Sequence, residues 1–224
     1  MRLLQKQSMK YKLVIFDFDG TIADTSEGII DSHKYVLKKI NKTIPSDKEL
    51  YNLIGGNLLD IYMNYFGFTE DTAKELVKIY RERYALVGIH KAMLYPNLEE
   101  LLIYLKEKGI KIGIATLKAE RFAIEMVHEL GISQYFDCIC GMDADDRLTK
   151  AKLVRRCMDK TNCKSSDSIL IGDTLNDYKG AVQAGVDFLG VSYGFGLENK
   201  LKYDFICYNT CKGIKNFFKN LRAD

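Results

Sequence analysis

The chain has 224 residues, 47% hydrophobic and 28% charged, with 17 Gly, only 2 Pro and no Trp, which excludes disordered, collagen-like and low-complexity classes and leaves one or two globular domains. Its 33 Lys and Arg against 30 Asp and Glu give a formal charge of +3, far from the concentrated basic footprint of a nucleic-acid binder. No run of apolar residues is long enough to span a membrane, and Met1 to Lys12 lacks the apolar stretch of a secretion signal, so the expected protein is cytoplasmic with no nucleic-acid or membrane partner.

Met9 stands just ahead of the first expected strand and is an alternative start. Lys12 to Phe16 (KLVIF) is the first of four short, β-branched apolar runs, followed by Ile110 to Ala115, Ser168 to Ile171 and Phe188 to Val191. Runs of this kind belong to strands buried on both faces. From about Ile22 to about Tyr95 no strand-like run occurs; at least three helical patterns fill the interval, the clearest being Ala73, Leu76, Val77, Tyr80 and Tyr84. A helical insertion after the first strand explains this better than a structureless loop of such length. Beyond it, Leu98, Leu101, Leu102 and Leu105, then Phe122, Met126, Val127 and Leu130, then Leu153, Val154, Cys157 and Met158 repeat at three and four. Strands alternating with amphipathic helices predict an α/β fold with a parallel sheet. In the tail, Lys212, Lys215, Lys219 and Arg222 recur at helical spacing and read as a solvated helix face.

The six cysteines, Cys138, Cys140, Cys157, Cys163, Cys207 and Cys211, are too sparse to staple a small secreted scaffold and read as free thiols. Cys138 with Cys140 and Cys207 with Cys211 form two close pairs, but with no histidine nearby they are a weak zinc signal.

The carboxylates carry more. Asp17 and Asp19 end the first strand in Phe16-Asp17-Phe18-Asp19-Gly20-Thr21, two residues apart and so on one side of the strand end, at the sheet edge where α/β folds keep their sites. Two bare carboxylates about 4 Å apart repel by roughly 4 kcal/mol at an effective dielectric near 20, so a cation should sit between them. Gly172-Asp173-Thr174-Leu175-Asn176-Asp177 adds Asp173 and Asp177 at the same edge. Hard oxygen ligands in this number, without histidine or cysteine, suit Mg2+. Any one of these aspartates is explained by a cap or turn, and Asp177, which opens a helix, keeps capping as a real alternative. Thr116 ends the second core strand, and the helix that begins near Ala119 turns its amino end toward a bound anion; a local backbone hydrogen bond is the other role for this threonine. Of Lys150 and Lys152, helix geometry turns Lys150 toward the sheet with Leu153, Val154, Cys157 and Met158, and Lys152 toward water.

The set Asp17-x-Asp19-Gly20-Thr21, Thr116, Lys150 and Gly172-Asp173 followed by Asp177 resembles the haloacid dehalogenase-like hydrolases in order, spacing and strand placement, over roughly residues 11 to 210. The resemblance implies a Rossmann-like parallel sheet core of residues 1–21 and 96–224, with residues 22–95 as an inserted helical cap of the C1 type. Asp24-Thr25-Ser26-Glu27-Gly28, the cap stretch Ile54-Gly55-Gly56-Asn57-Leu58, Tyr80-Arg81-Glu82-Arg83-Tyr84 and Gly180-Ala181 look most like the phosphoglycolate phosphatase and 5′-nucleotidase-like branch. Two departures stand out: Leu117 follows the motif threonine where a polar residue is common, and Asn57 replaces a frequent proline. The resemblance implies Asp17 as nucleophile toward phosphorus, Asp19 as acid and base, and Mg2+ held by the Asp17 carboxylate, the Asp19 backbone carbonyl and Asp173. It further implies Thr116 and Lys150 on the phosphate oxygens, Asp177 orienting a metal water or Lys150, and Gly55, Gly56 and Asn57 tuning the choice of a small phosphorylated metabolite, phosphoglycolate-like or a nucleoside 5′-monophosphate.

Several competing readings are weaker. A sugar-phosphate mutase of the same superfamily usually has a cap histidine where this chain has Ile29, and a basic cap loop where this one has Gly55-Gly56-Asn57; His33 shares a face with Ile29, Val36, Leu37 and Ile40 and reads as a core or cap-interface residue. A phosphonatase wants a cap lysine that no residue supplies at a recognisable place, whereas a pyrophosphatase stays open. Arg81 and Arg83 read as a solvated helix face, with contact to an anionic substrate as the alternative. Gly190-Val191-Ser192-Tyr193-Gly194 spells a serine-hydrolase elbow, but all three histidines precede Ser192 and no helix pattern follows. A phosphoaspartate receiver-like switch combines similar groups without a cap, in about half the length.

Overall fold

The computed structural model describes residues 10–143, 146–198 and 203–221; Met9 and Arg222 lie outside the described residues. In chain order the strands are β1 (Leu13–Phe16), β2 (Ala23–Asp24), β3 (Met93–Leu94), β4 (Lys111–Ala119), β5 (Cys138–Met142), β6 (Ser168–Gly172), β7 (Asp187–Val191) and β8 (Cys207–Tyr208). The helices are α1 (Ser26–Lys39), α2 (Asp47–Tyr51), α3 (Leu58–Asp60), α4 (Glu70–Arg83), α5 (Leu98–Glu107), α6 (Glu120–Glu129), α7 (Lys150–Thr161), α8 (Leu175–Ala184) and α9 (Cys211–Asn220).

Six strands make one sheet in the order β5-β4-β1-β6-β7-β8, with every pairing parallel. The alternation of β1 shows why its run is apolar throughout. Leu13 and Ile15 face the cluster beneath α7 and α8, while Val14 and Phe16 face the larger cluster beneath α5, α6 and α9, and all four are fully buried. Each such Leu, Ile or Phe contributes about 1.5–3 kcal/mol by leaving water. The chain leaves β1 toward β4 and β5 on one side and returns to β6 and β7 on the other, so the carboxyl end of β1 lies at the reversal of strand order, where open α/β sheets form their crevice.

Three features differ from the expected pattern. Cys138–Met142 (CICGM) is an edge strand that its two cysteines and glycine disguised, and Cys207–Tyr208 adds a short strand at the other edge. The second core strand does not end at Thr116: β4 runs on to Ala119, with Ala115 opposite Cys140 but Ala119 opposite Met142. Four steps on β4 therefore match two on β5, and the surplus at Thr116–Lys118 bulges from the ladder. Finally, the two ends of the helical interval pair, β2 antiparallel to β3.

Within that interval α1 packs on α4 and α2. Ser46 opens α2 with a reciprocal capping box to Glu49, and Asn57 and Thr69 cap α3 and α4 with their side-chain oxygens. Helix α4 continues into a π-helical turn at Tyr84–Gly88, and Gly88 lies so close to Gly28 of α1 that a Cβ on Gly28 would meet its carbonyl. Among the described residues, no helix is long and apolar enough to cross a membrane.

Candidate active site

Asp17 follows β1 directly, and its N–H still donates to Ile171 O of β6 at 2.9 Å. Asp173 follows β6, and Asp177 sits in the first turn of α8. Carboxylate oxygens of these three buried residues lie within 4.8 Å of one another. Into the group comes Lys150, the first residue of α7, fully buried as its helical azimuth predicts; Lys152 is exposed. Its Nζ is 2.7 Å from Asp17 Oδ1 and 2.8 Å from Asp177 Oδ1, both ion pairs without hydrogen-bond alignment, while its aligned hydrogen bond goes to Ala115 O at 2.9 Å.

The local turn is built by Gly20, whose φ of +77° is one that side-chain-bearing residues rarely adopt. A Cβ there would collide with Asp173 Oδ2, so only glycine lets the chain after Asp19 pass so close to the second carboxylate. Asp173 is held on both oxygens: Oδ1 accepts from Thr21 Oγ1 at 3.2 Å and Oδ2 from the Phe195 N–H at 2.7 Å. Asp177 does both things its sequence position allowed. Its Oδ2 accepts from the N–H and hydroxyl of Thr174 in a capping box, while Oδ1 faces Lys150.

Three carboxylates against one ammonium leave an excess of two negative charges in a buried site, and the titration of the groups reflects it. Burial pushes the Asp17 carboxyl up to about 7, against the lowering influence of Lys150 and with Asp177 and Asp19 adding to the rise. Burial, then Asp177 and Asp17, raise Asp173 well above its ordinary value. Burial alone would lower Lys150, but Asp17 and Asp177 outweigh it and hold the ammonium charged. One divalent cation supplies the missing charge, and hard oxygen donors at this spacing are what Mg2+ takes, so the residues present fit the expected ion.

Asp19 stands apart from that group. Its Oδ1 accepts from Thr25 Oγ1 at 2.6 Å and lies 3.0 Å from Lys118 Nζ, with both side chains of the ion pair nearly buried. Lys118 also donates to Tyr84 OH at 2.8 Å and sits over the Tyr84 ring. Neither Thr25 nor Lys118 was singled out as a lone site residue from the sequence; Lys118 reaches Asp19 only because of the bulge, which no periodicity reveals. Thr116, buried in the same bulge, accepts the Lys118 N–H on Oγ1 at 3.1 Å, so its local role is present and its hydroxyl hydrogen remains for another acceptor.

Above these groups lies a cavity of about 70 Å³ bounded by Asp17, Asp19, Thr116 and Lys118 from the sheet and by Ile29, His33, Ile54, Gly55, Gly56, Tyr80, Arg81 and Tyr84 from the helices. Leu117 lines it too, with its apolar chain where a polar residue was expected. Asn57 does not line this cavity; it lines the neighbouring cleft, caps α3 and donates from Nδ2 to Asp146 O at 2.9 Å. Arg81 borders the cavity and pairs with Asp146, a position that departs from a solvated face, whereas Arg83 pairs with Asp31 and stacks on Tyr35 of α1. His33 is a buried interface residue among Tyr62, Phe66 and Tyr80, and burial lowers its pKa to about 4.

The other motifs resolve simply. Ser192 follows β7 into a non-helical loop, and its N–H donates to Tyr208 O, so no strand–turn–helix elbow forms. All six cysteines are free; among the described residues Cys207 and Cys211 belong to no cluster of three possible metal ligands, whereas Cys138 and Cys140 are joined by Cys157. Lys212 and Lys219 are exposed on α9, and Lys215 reaches Glu100.

Comparison with known proteins agrees with this arrangement. A family profile described as haloacid dehalogenase-like hydrolase matches residues 14–191. A 5′-nucleotidase from Pseudomonas aeruginosa is 33% identical over 200 residues, 89% of this chain and 90% of its own. A phosphoglycolate phosphatase from Psychrobacter arcticus is 28% identical over 205 residues, covering 87% of this chain and 89% of its own. A crystal structure of a predicted phosphatase from Clostridium acetobutylicum superimposes with a TM-score of 0.89 at 33% identity, covering 94% of this chain and 99% of that one. With its β1 aspartates, its buried lysine and its sheet order all in place, the chain belongs to the haloacid dehalogenase-like hydrolase family.

Proposed function

We propose that the protein is a Mg2+-dependent phosphomonoester hydrolase that acts on a small phosphorylated metabolite, phosphoglycolate-like or a nucleoside 5′-monophosphate, through an aspartyl phosphate on Asp17. The observation that carries this reading is the buried set of Asp17, Asp173 and Asp177 around a single Lys150, with the Asp19–Lys118 pair beside it under the same cavity. Asp17 is the nucleophile, and the covalent intermediate splits one difficult hydrolysis into two transfers. Asp19, fixed by Thr25 and Lys118, protonates the leaving oxygen and then takes a proton from water. Thr116 donates its hydroxyl to a phosphate oxygen, and Lys150 at once neutralises Asp17 and binds the transferring group. Asp17, the Asp19 backbone carbonyl and Asp173 hold the metal, and Asp177 orients Lys150. The bound Mg2+ supplies charge neutralisation for the phosphoryl group. Residues 22–95 act as a cap, with Gly55, Gly56 and Asn57 in the loop that tunes substrate choice. The printed activities of the nucleotidase and phosphatase relatives support the class. Six free thiols fit a cytoplasmic setting.

The test is repeated release of inorganic phosphate from a panel of phosphoglycolate, nucleoside monophosphates, sugar phosphates and pyrophosphate. Turnover that needs Mg2+ and falls by about 10³-fold or more in Asp17→Asn is expected. Full activity in Asp17→Asn, or a phosphoaspartate that accumulates without turnover, overturns the reading.

A further inference from the structure

We propose that Cys138, Cys140 and Cys157 form a second metal site, remote from the carboxylates, that binds one copper(I) ion through three sulphurs. The three Sγ atoms lie within 4.8 Å of one another, and among the described residues no histidine or carboxylate joins them. Cys138 and Cys140, two apart on β5, turn the same way into the cluster under α7, and Cys157 meets them from that helix. The residues are brought together by the packing of α7 on β4 and β5, which is why the spacing of Cys138 and Cys140 alone gave so little.

The donor set selects the ion. Structural zinc takes four protein ligands in a tetrahedron, and among the described residues no fourth joins these three. Soft thiolates without nitrogen or oxygen partners favour copper(I). Metal–sulphur bonds near about 2.3 Å place three trigonal sulphurs about 4 Å apart, so the cluster needs to contract by less than about 1 Å. Room exists because the residue opposite Cys138 on β4 is Gly113: a Cβ there would lie 3.0 Å from Cys138 Sγ and 3.4 Å from Cys157 Sγ. The charge also closes. Three thiolates and one monovalent ion carry two negative charges, and two cations, Lys160 and Arg156, act on the cluster. Lys160 is fixed nearby by its hydrogen bond to Ile139 O at 2.9 Å.

Binding releases the three thiol protons to water as the three sulphur–metal bonds form, and copper stays copper(I). Cys157 gives up its contact with Ile114 O at 3.1 Å in the exchange. Entry is past Cys138, which is 8% exposed; Cys140 and Cys157 are sealed.

The test presents copper(I) to the reduced full chain without oxygen, as its complex with bathocuproine disulfonate, whose colour reports transfer. One equivalent should move to the protein, and X-ray absorption at the copper edge should show three sulphur neighbours. A Cys138→Ser/Cys140→Ser variant should bind at least 100-fold more weakly, and a Cys207→Ser/Cys211→Ser variant should match the parent. No transfer, two sulphur neighbours, or loss of binding in the Cys207→Ser/Cys211→Ser variant overturns the site. If the Cys138→Ser/Cys140→Ser variant fails to fold, the sulphur count on the unmodified protein decides alone. The readout is independent of phosphatase activity.

Discussion

Lys118 shows what a single side chain does beside a buried carboxylate. Its ammonium and the Asp19 carboxylate are nearly sealed from water, so removing only one of them leaves a buried charge without its counterpart. Lys118→Met is expected to cost about 3 kcal/mol of stability, and Lys118→Met combined with Asp19→Asn to cost less than the sum of the two singles by at least about 1 kcal/mol. Urea titrations of the four proteins measure the coupling; strict additivity would show that the pair contributes nothing. His33 acts on stability through protons instead. Its folded pKa near 4 lies below the ordinary histidine value, so the unfolded chain binds the extra proton between the two. The contribution of neutral His33 is therefore complete above about pH 6.5 and is lost as the pH falls toward 4, by up to about 3 kcal/mol. His33→Phe should flatten that part of the pH–stability curve; an unchanged slope would mean the ring titrates freely. His33 was legible as a core residue because its neighbours repeat at helical spacing. Lys118 was not, because its importance comes from a bulge.

At the level of elements, the pieces that could be read were those with a strong period. The four apolar runs became β1, β4, β6 and β7, and the leucine and methionine stripes became α5, α6 and α7. Lys150 was placed correctly because a helix fixes azimuth: its neighbours Leu153, Val154, Cys157 and Met158 declared the buried face. Edge strand β5 escaped because five residues with two cysteines and a glycine have little periodic signal, and the overrun of β4 escaped because an irregular register has none. Gly180 tests how tightly these elements fit. In an exposed helix interior Gly→Ala gains about 1 kcal/mol from propensity. At Gly180 of α8, however, an added Cβ would stand 2.4 Å from Lys150 Cγ and 2.7 Å from Lys150 Cβ, near the root of a side chain whose tip is held by two aspartates. Gly180→Ala should therefore destabilise by about 1–3 kcal/mol and lower kcat more than it raises KM, because it displaces the ammonium rather than the cavity wall. A variant that is more stable and fully active would show that α7 and α8 slide apart at little cost.

For the whole molecule the decisive quantity is local charge, which a total of +3 conceals. Asp17 and Asp173 are raised by burial, so between the ordinary carboxylate value and about 7 the folded chain holds more protons than the unfolded one. Stability of the metal-free protein then falls as the pH rises through that window, opposite in sign to the His33 effect. A divalent ion competes with those protons for the same oxygens and binds the folded state alone. At a concentration about a hundred times its Kd it stabilises by about 2.7 kcal/mol, which for a chain of this size is about 5–10 °C in Tm. Melting curves with and without Mg2+ should show that shift at pH 8, less than half of it at pH 5.5, and none at pH 8 in Asp173→Asn. An equal shift at both pH values would mean the ion binds away from these carboxylates, where protons stand in its way.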